Sequence, residues 1–451
     1  MSQDAVFRAY DIRGLVDHDF DAAWVERLGK ACGAAMLRQG IEDTVVGFDC
    51  RPSSPRYHDA LVRGLLGTGV NVVSIGMVPT PVLYFAVTYF NRRAGVMITA
   101  SHNPSEYNGF KIWMGESTIY GQALQDLKAL MEGGEFPHGQ GLLSQHDVTP
   151  AYLEAVTSRI TLLRRLKIVV DGGNGAGGEL CCQVLNALGA EVVPLYCEPD
   201  GTFPHHHPDP VVEENMHDLI RTVHRERADF GIGLDGDGDR IGAVDRNGRL
   251  LHGDELLSIF AGDVLSRKPG ATIIGDVKCS QRLFDAVAAM GGNGIMSATG
   301  HSLIKAKMRE LGADLAGEMS GHMFCADGWY GFDDAIYSAA RLAGILSGSE
   351  RSLDVLPGWP EAYATREINI PCPESLKPVI VVRAVEYFSQ RHPVNTLDGA
   401  RVQFEDGWGL VRASNTQPVL VTRFEASTPE RLEAIKAEML TPLAEWIDEL
   451  Q

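Results

Sequence analysis

Three aspartates at alternate positions, Asp235, Asp237 and Asp239, with single glycines between them and Arg240 immediately after, form the most chemically specific pattern in the 451-residue chain. Carboxylates crowded in this way repel one another unless a cation lies among them, so the run reads as a metal site rather than a solvated acidic loop. A small set of hard oxygen ligands favours Mg2+, completed by water or by a substrate phosphate. An EF-hand begins similarly, but counted from Asp235 its sixth position is Arg240, where glycine is needed, and its twelfth is Arg246, where glutamate is needed. A calcium loop of that kind is excluded.

A second pattern is the apolar run Val96-Met97-Ile98, which delivers Ser101 and His102 into a turn closed by Asn103-Pro104. A serine hydroxyl becomes a nucleophile only with a neighbouring base, metal or anion-stabilising group; alone, the stretch reads equally well as a strand end followed by an Asn-Pro turn. Glu318, Ser320 and His322 form a third polar cluster, and Arg412 is followed by Ser414, Asn415 and Thr416. An arginine beside three small hydrogen-bonding side chains suits a phosphate, although a polar hairpin loop has the same composition. Together these groups point to phosphoryl transfer through a phosphoserine, with a cation and Arg240 spreading charge on the transferring group. Two anion sites, one reactive and one remote, suit a substrate with a phosphate at one end.

Positioning these groups falls to a plan that recurs three times from residue 44. The first copy reads TVVGFDCRPSS, PRYHDALVRGLLGTG, NVVSIGM, PVLYFAVTYF and AGVMITASHNP; the second runs from KIVVDGGNGAGG to DFGIGLDGDGDR; the third runs from TIIGDVKCS to ADLAGEMSGH. Strands alternating with helices of this length predict α/β units with largely parallel sheets, which place ligands beyond the carboxyl ends of their strands. In each copy the loop after the third strand carries the reactive residues, so three equivalent loops are expected to converge on one cleft. The last 90 or so residues read as an α+β unit: strands at REINIPC, RVQFEDGWGLVRAS and LVTRFEA, a helix at LKPVIVVRAVEYFSQ, and a closing helix that begins with a capping box at Ser427-Thr428-Pro429-Glu430.

Size and composition narrow the function classes. The length suits several domains, and hydrophobic and charged contents of 45% and 22% are ordinary globular values. A net charge of −19 argues against general neutralisation of nucleic-acid phosphates, so an anionic ligand must meet locally placed arginines. The eight cysteines show no CxxC spacing and read as reduced, mostly structural thiols of a cytoplasmic protein; the N-terminus lacks the apolar core of a signal peptide. Residues 64–91 carry no charge, but Pro79-Thr80-Pro81 interrupts them, which fits a strand, a turn and a short helix better than a membrane span. Gly173 to Gly178 matches the dinucleotide fingerprint on paper, with Glu198 about 20 residues on, yet a plain glycine-rich turn is the better reading because nothing else suggests hydride transfer. A P-loop lysine motif is absent, and His205-His206-His207 reads as a solvated loop rather than a metal site.

Taken in order, FRAYDIRG from residue 7, TASHNP, DGDGDR, GDVKCS, TGHSLIK, GEMSGH and RASNTQP make the chain resemble the α-D-phosphohexomutases, most closely the bacterial phosphomannomutase/phosphoglucomutase branch. The resemblance implies a heart-shaped α/β protein with a central cleft: three similar α/β domains with mixed sheets (1-147, 148-249, 250-361) and a C-terminal α+β, TATA-binding-like domain (362-451). By motif, Ser101 would carry the phosphoryl group, and Asp235, Asp237 and Asp239 would bind Mg2+ together with it. Glu318, Ser320 and His322 would grip sugar hydroxyls, and Arg412, Ser414, Asn415 and Thr416 would hold the non-reacting phosphate. Tyr10, Arg13, Lys111, Arg240, Lys278 and His301 would line the cleft, with Lys111 and His322 as candidates for proton transfer and His102 positioning the loop. The implied reaction interconverts hexose 1- and 6-phosphates through a 1,6-bisphosphate, also the activator, which turns over within the cleft. The partners are small hexose phosphates, with no nucleic acid, membrane or obligate protein partner. RASNTQP and GEMSGH are similar to the mannose/glucose enzymes, whereas the phosphoglucosamine branch reads RPSGTEP; Gln417 departs from the Glu or Thr common at its place. A phosphoglucosamine mutase, a metal-dependent sugar phosphatase and a non-catalytic sugar-phosphate binder are the alternatives.

Overall fold

The computed structural model of the protein describes residues 6–414 and 417–450, which build four sheets. In the first, Asp43–Phe48 pairs in parallel with Asn71–Met77 on one side and Ala94–Ile98 on the other, and Ala94–Ile98 then pairs antiparallel with Tyr107–Met114. The second repeats this order: Lys167–Asp171 lies between Glu191–Leu195 and Phe230–Leu234, which pairs antiparallel with Ile241–Asp245. The third repeats it again with Thr272–Asp276, Asn293–Ser297, Leu315–Gly317 and Met323–Cys325. The expected mixed sheets are therefore present, and the three copies share one topology.

That topology explains where the chemistry lies. The parallel strands are buried on both faces, which is why they read as unbroken apolar runs. The reversal to the antiparallel strand forces a tight loop at the carboxyl end of the third strand, and those loops carry Ser101, the Asp235–Asp239 run and Glu318–His322.

The uncharged stretch resolves as expected into the strand Asn71–Met77 and the short helix Thr80–Tyr89, whose residues from Thr80 to Val87 are all buried. Among the described residues no helix is long and apolar enough to cross a membrane. This helix lies in a core shared by all three α/β units, from Val45 through Ile168 to Leu353, whereas the terminal unit has its own core from Cys372 to Ile447.

The terminal sheet is antiparallel, with Gly407–Ala413 between Ala400–Phe404 and Val419–Ala426, backed by the helices Lys377–Ser389 and Pro429–Leu450. The closing helix starts one residue later than expected. The Arg431 amide donates to Thr428 Oγ1 at 3.2 Å, so Thr428 caps it, Pro429 takes the first helical position, and the Ser427/Glu430 capping box does not form.

Candidate active site

Ser101 has φ +51°, a left-handed conformation that costs a non-glycine residue about 1–3 kcal/mol and persists only where its surroundings enforce it. Its amide donates to Thr99 Oγ1 at 2.9 Å, its hydroxyl donates to Asp235 Oδ2 at 2.7 Å, and His102 Nδ1 lies 3.2 Å from that hydroxyl. The serine loop and the aspartate loop are in van der Waals contact. A Cβ on Gly236 would lie 2.5 Å from the Ser101 carbonyl oxygen, so only glycine fits there.

Asp235, Asp237 and Asp239 are fully buried, and one carboxylate oxygen from each lies within 4.8 Å of the others. Burial and mutual repulsion push Asp235 well above the usual carboxylate range and raise Asp239. Burial works against Asp237 too, but the Lys111 charge and the hydrogen bonds from Lys111 and Thr80 hold it below that range. Lys111 Nζ lies 2.7 Å from Asp237 Oδ2 and also pairs with Asp239 Oδ2. Asp237 Oδ1 and Asp239 Oδ1 are buried without a hydrogen-bond partner. Three carboxylates against one ammonium, with two orphaned oxygens, are a donor set that fits a divalent oxygen-seeking cation.

The third loop reaches the same place. Arg240 Nε donates to His322 Nε2 at 3.0 Å, which puts the ring proton on Nδ1, 3.2 Å from Asp333 Oδ2 and 3.5 Å from Asp239 Oδ1. His301 stacks on His322 at 5.6 Å, and burial with Lys305 nearby keeps it well below its ordinary pKa, hence neutral. Burial and the charge of Arg240 likewise lower His102. Glu318 Oε1 accepts from the Gly300 amide at 2.7 Å, and burial, with Asp276 nearby, raises its pKa. Ser320 lies partly exposed in the turn beside it. Arg13 donates to Asn103 Oδ1 and to Asp11, tying FRAYDIRG to the serine loop; Tyr10 reaches the Thr299 carbonyl.

The terminal loop is connected to this cluster. Arg412 Nε donates to Asp398 Oδ2 at 2.8 Å, and the same oxygen accepts from the Thr299 amide at 3.1 Å. Lys278 pairs with Glu367 at 2.7 Å. Ser414 is buried, with its carbonyl on Lys377 Nζ; the expected Asn415 and Thr416 lie outside the described residues.

Here the comparisons with known proteins apply. Family models of phosphoglucomutase/phosphomannomutase match in order: α/β/α domain I over residues 4–137, II over 150–248, III over 252–361 and the C-terminal domain over 367–441. The chain is 48% identical over 435 residues to a phosphomannomutase/phosphoglucomutase of Pseudomonas aeruginosa, covering 96% of this chain and 94% of that protein. The chain belongs to the phosphoglucomutase/phosphomannomutase family. It is 43% identical over 438 residues to a phosphoglucomutase of Neisseria gonorrhoeae, covering 96% of this chain and 95% of that one. A crystal structure of a phosphoglucomutase/phosphomannomutase family protein from Burkholderia thailandensis superposes with a TM-score of 0.92 at 41% identity, covering 99% and 98% of the two chains.

Within this candidate site, several residues that sequence reasoning passed over are structurally central. Thr80 Oγ1 donates to Asp237 Oδ2 at 2.6 Å, and its amide donates to the Asp237 carbonyl at 2.8 Å. Lys377 holds both the Ser414 and Gln417 carbonyls, and Arg51 lies buried under the serine loop. Pro79-Thr80-Pro81 was informative only as an interruption, and a buried lysine or arginine has no signature in sequence. The glycine run is a structural abutment: the Ala176 amide donates to the Gly236 carbonyl at 2.9 Å, and a Cβ on Gly175 would sit 2.7 Å from that oxygen. The histidine run is less solvated than expected. His206 is half-buried and pairs with Asp171 at 3.1 Å, while His205 reaches Asn174 at 2.7 Å.

Proposed function

We propose that the chain is a Mg2+-dependent mutase that interconverts the 1- and 6-phosphates of mannose and glucose through phosphorylated Ser101 and a hexose 1,6-bisphosphate. The observation that carries the reading is the Ser101 hydroxyl, 2.7 Å from Asp235 inside a buried triad that Lys111 only partly neutralises. Family membership and the names of the relatives supply the sugar class. The four sheets and the family matches support the division at 147/148, 249/250 and 361/362.

In this reading Ser101 Oγ gives and receives the phosphoryl group, and Asp235, Asp237 and Asp239 hold Mg2+. When bound, Mg2+ supplies charge that stabilises the phosphoryl group in transfer. Arg240 and Arg13 add fixed positive charge from the protein. Lys111, paired with two carboxylates, holds its proton tightly despite burial; it serves as a fixed cation and hydrogen-bond donor, which leaves proton transfer to His322. His322 accepts the sugar hydroxyl proton at Nε2 once substrate draws Arg240 away, and Asp333 at Nδ1 holds the ring in the required tautomer. Glu318, Ser320 and His301 read the sugar hydroxyls. Arg412, Ser414, Asn415 and Thr416 hold the far phosphate, with Tyr10 and Lys278 closing the cleft between them.

A phosphorus NMR time course tests the proposal, with Mg2+, catalytic glucose 1,6-bisphosphate, and mannose 1-phosphate or glucose 1-phosphate in parallel. Growth of the 6-phosphate from both sugars is expected, and Ser101→Ala abolishes it. Release of free phosphate instead would mean a phosphatase, and conversion of glucosamine phosphate alone would mean the phosphoglucosamine branch.

A further inference from the structure

Arg51 has no solvent-exposed side-chain surface, yet its guanidinium spends four hydrogen bonds on backbone carbonyls of one loop. Nη2 donates to Ser101 O at 2.7 Å and Asn103 O at 2.6 Å; Nη1 donates to Pro104 O at 2.6 Å and Tyr107 O at 3.0 Å. Asp49 Oδ2 fixes the remaining Nε at 3.0 Å. Phe203 of the second α/β unit covers the guanidinium face at 5.2 Å. Gly201, beside it, is a position where a Cβ would lie 2.5 Å from Arg51 Cα. The bonds are thus made in a dry site, where they are strong and where an unmade carbonyl is costly.

We propose that Arg51 is a positioning residue for phosphoryl transfer: by drawing the carbonyls of residues 101, 103, 104 and 107 onto one planar fork, it holds Ser101 in its left-handed turn with Oγ aimed at the metal loop. In a trans peptide the N–H lies opposite the C=O, so the bond to Ser101 O also turns the His102 amide away from the guanidinium. Lysine cannot substitute, because an ammonium offers three donors from one point rather than a two-pronged fork. The inference rests on Ser101 as the phosphoryl carrier.

The test is Arg51→Lys, purified and shown by circular dichroism and thermal melting to be folded. A misplacement of the reacting atom by about 1 Å costs about 100-fold in rate, so kcat for hexose 1-phosphate interconversion is expected to fall by about that factor. KM is expected to stay within about threefold, because no sugar contact changes. The phosphoenzyme, formed with hexose 1,6-bisphosphate, is expected to transfer more slowly to sugar while its hydrolysis to inorganic phosphate is retained. A folded Arg51→Lys protein with wild-type kcat and an unchanged ratio of transfer to hydrolysis overturns the inference. If that variant fails to fold, Asp49→Asn keeps the guanidinium while removing the charge and acceptor at its Nε, with Oδ1 still able to accept from Ser54 Oγ and the Arg51 amide; a fall in kcat at constant KM supports the role, and unchanged kcat overturns it. Absence of mutase turnover in the wild-type protein overturns the functional reading and this inference with it; a wild-type mutase with an equally active Arg51→Lys variant overturns this inference alone.

Discussion

Replacing Lys111 by methionine keeps the length of the side chain and removes its charge from between two buried carboxylates. Lys111 is 3% exposed and faces Asp237 and Asp239, both 0% exposed, so neither carboxylate can turn to water when the ammonium is gone. Removing one partner of a buried ion pair costs about 3–5 kcal/mol, because the remaining charge is left uncompensated. At about 2–4 °C per kcal/mol for a domain of this scale, melting in EDTA is expected to drop by about 6–20 °C. Mg2+ replaces part of the missing positive charge, so it should raise the melting temperature of Lys111→Met more than that of the wild-type protein. Adding Asp239→Asn removes one of the stranded charges and should recover part of the loss, giving a clear interaction energy in a double-mutant cycle. Calorimetry of the four proteins, each in EDTA and in Mg2+, measures all of this. A Lys111→Met variant that melts within about 2 °C of wild type in EDTA, with no extra response to Mg2+, would refute the account of Lys111 as partial neutraliser of a cation site.

Three further outcomes follow from the same geometry. Thr80→Val removes the 2.6 Å hydrogen bond to Asp237 Oδ2; a bond to a charged group is worth about 1.5–3 kcal/mol, so Mg2+ titrations of the rate should show a half-saturation raised roughly tenfold to 100-fold. Gly175→Ala forces a methyl into the Gly236 carbonyl, 2.7 Å away; overpacking of this kind costs about 1–3 kcal/mol and displaces the aspartate loop, so turnover should fall, and titration of the wild-type protein with NADH should show no fluorescence change. His206 is partly buried, which disfavours its charged form, but the hydrogen bond and charge of Asp171 raise its pKa above the ordinary value. It therefore binds its proton more tightly folded than unfolded: the stabilisation is fully present below about pH 6.5 and is lost as pH rises through the folded pKa. Urea midpoints should fall across that window in the wild-type protein and much less in His206→Gln.

The legible part of the fold was whatever local chemistry determines. TVVGF, KIVVD and TIIGD could be read as buried parallel strands because both their faces are apolar. The reversed strand of each copy was harder to see: Tyr107–Met114 carries Lys111 in its middle, a charge whose burial only the facing aspartates explain. Ser101 and the three aspartates, which the structure brings together, could be singled out because the chemistry expected of them lies in residue type and spacing. Arg51 and Thr80 were not, because an arginine becomes a loop clamp only when a segment some 50 residues away folds over it, and a threonine between prolines becomes a hydrogen-bond donor only across a unit boundary. The same limit explains the closing helix, where Ser427 and Glu430 matched a capping pattern but the chain path placed Thr428 at the cap.

The division of the core has a consequence for how such a site can work. Ser101, Lys111 and Thr80 come from the first unit, the aspartates and Arg240 from the second, and His322 from the third, so the cluster spans unit boundaries and is only as rigid as the packing across them. The three α/β units share one continuous apolar core, and close-packed interiors do not deform gradually. The terminal unit, which carries Arg412, is cored separately. Its contacts with the third unit include Arg401 and Arg423 donating to the carbonyls of Cys279 and Lys278, and Ser280 donating to Glu425. Both arginines are buried, and Val277 of the third unit packs beside them on Trp408 and Leu410, so the junction is held by buried polar contacts and an apolar cluster much smaller than the core the α/β units share. In the reaction proposed above, a sugar bisphosphate presenting each end in turn to Ser101 would need fixed geometry at the reacting phosphate and a hold on the other that can release and re-form. On that proposal the first requirement falls to the core shared by the three α/β units and the second to the separately cored terminal unit that carries Arg412.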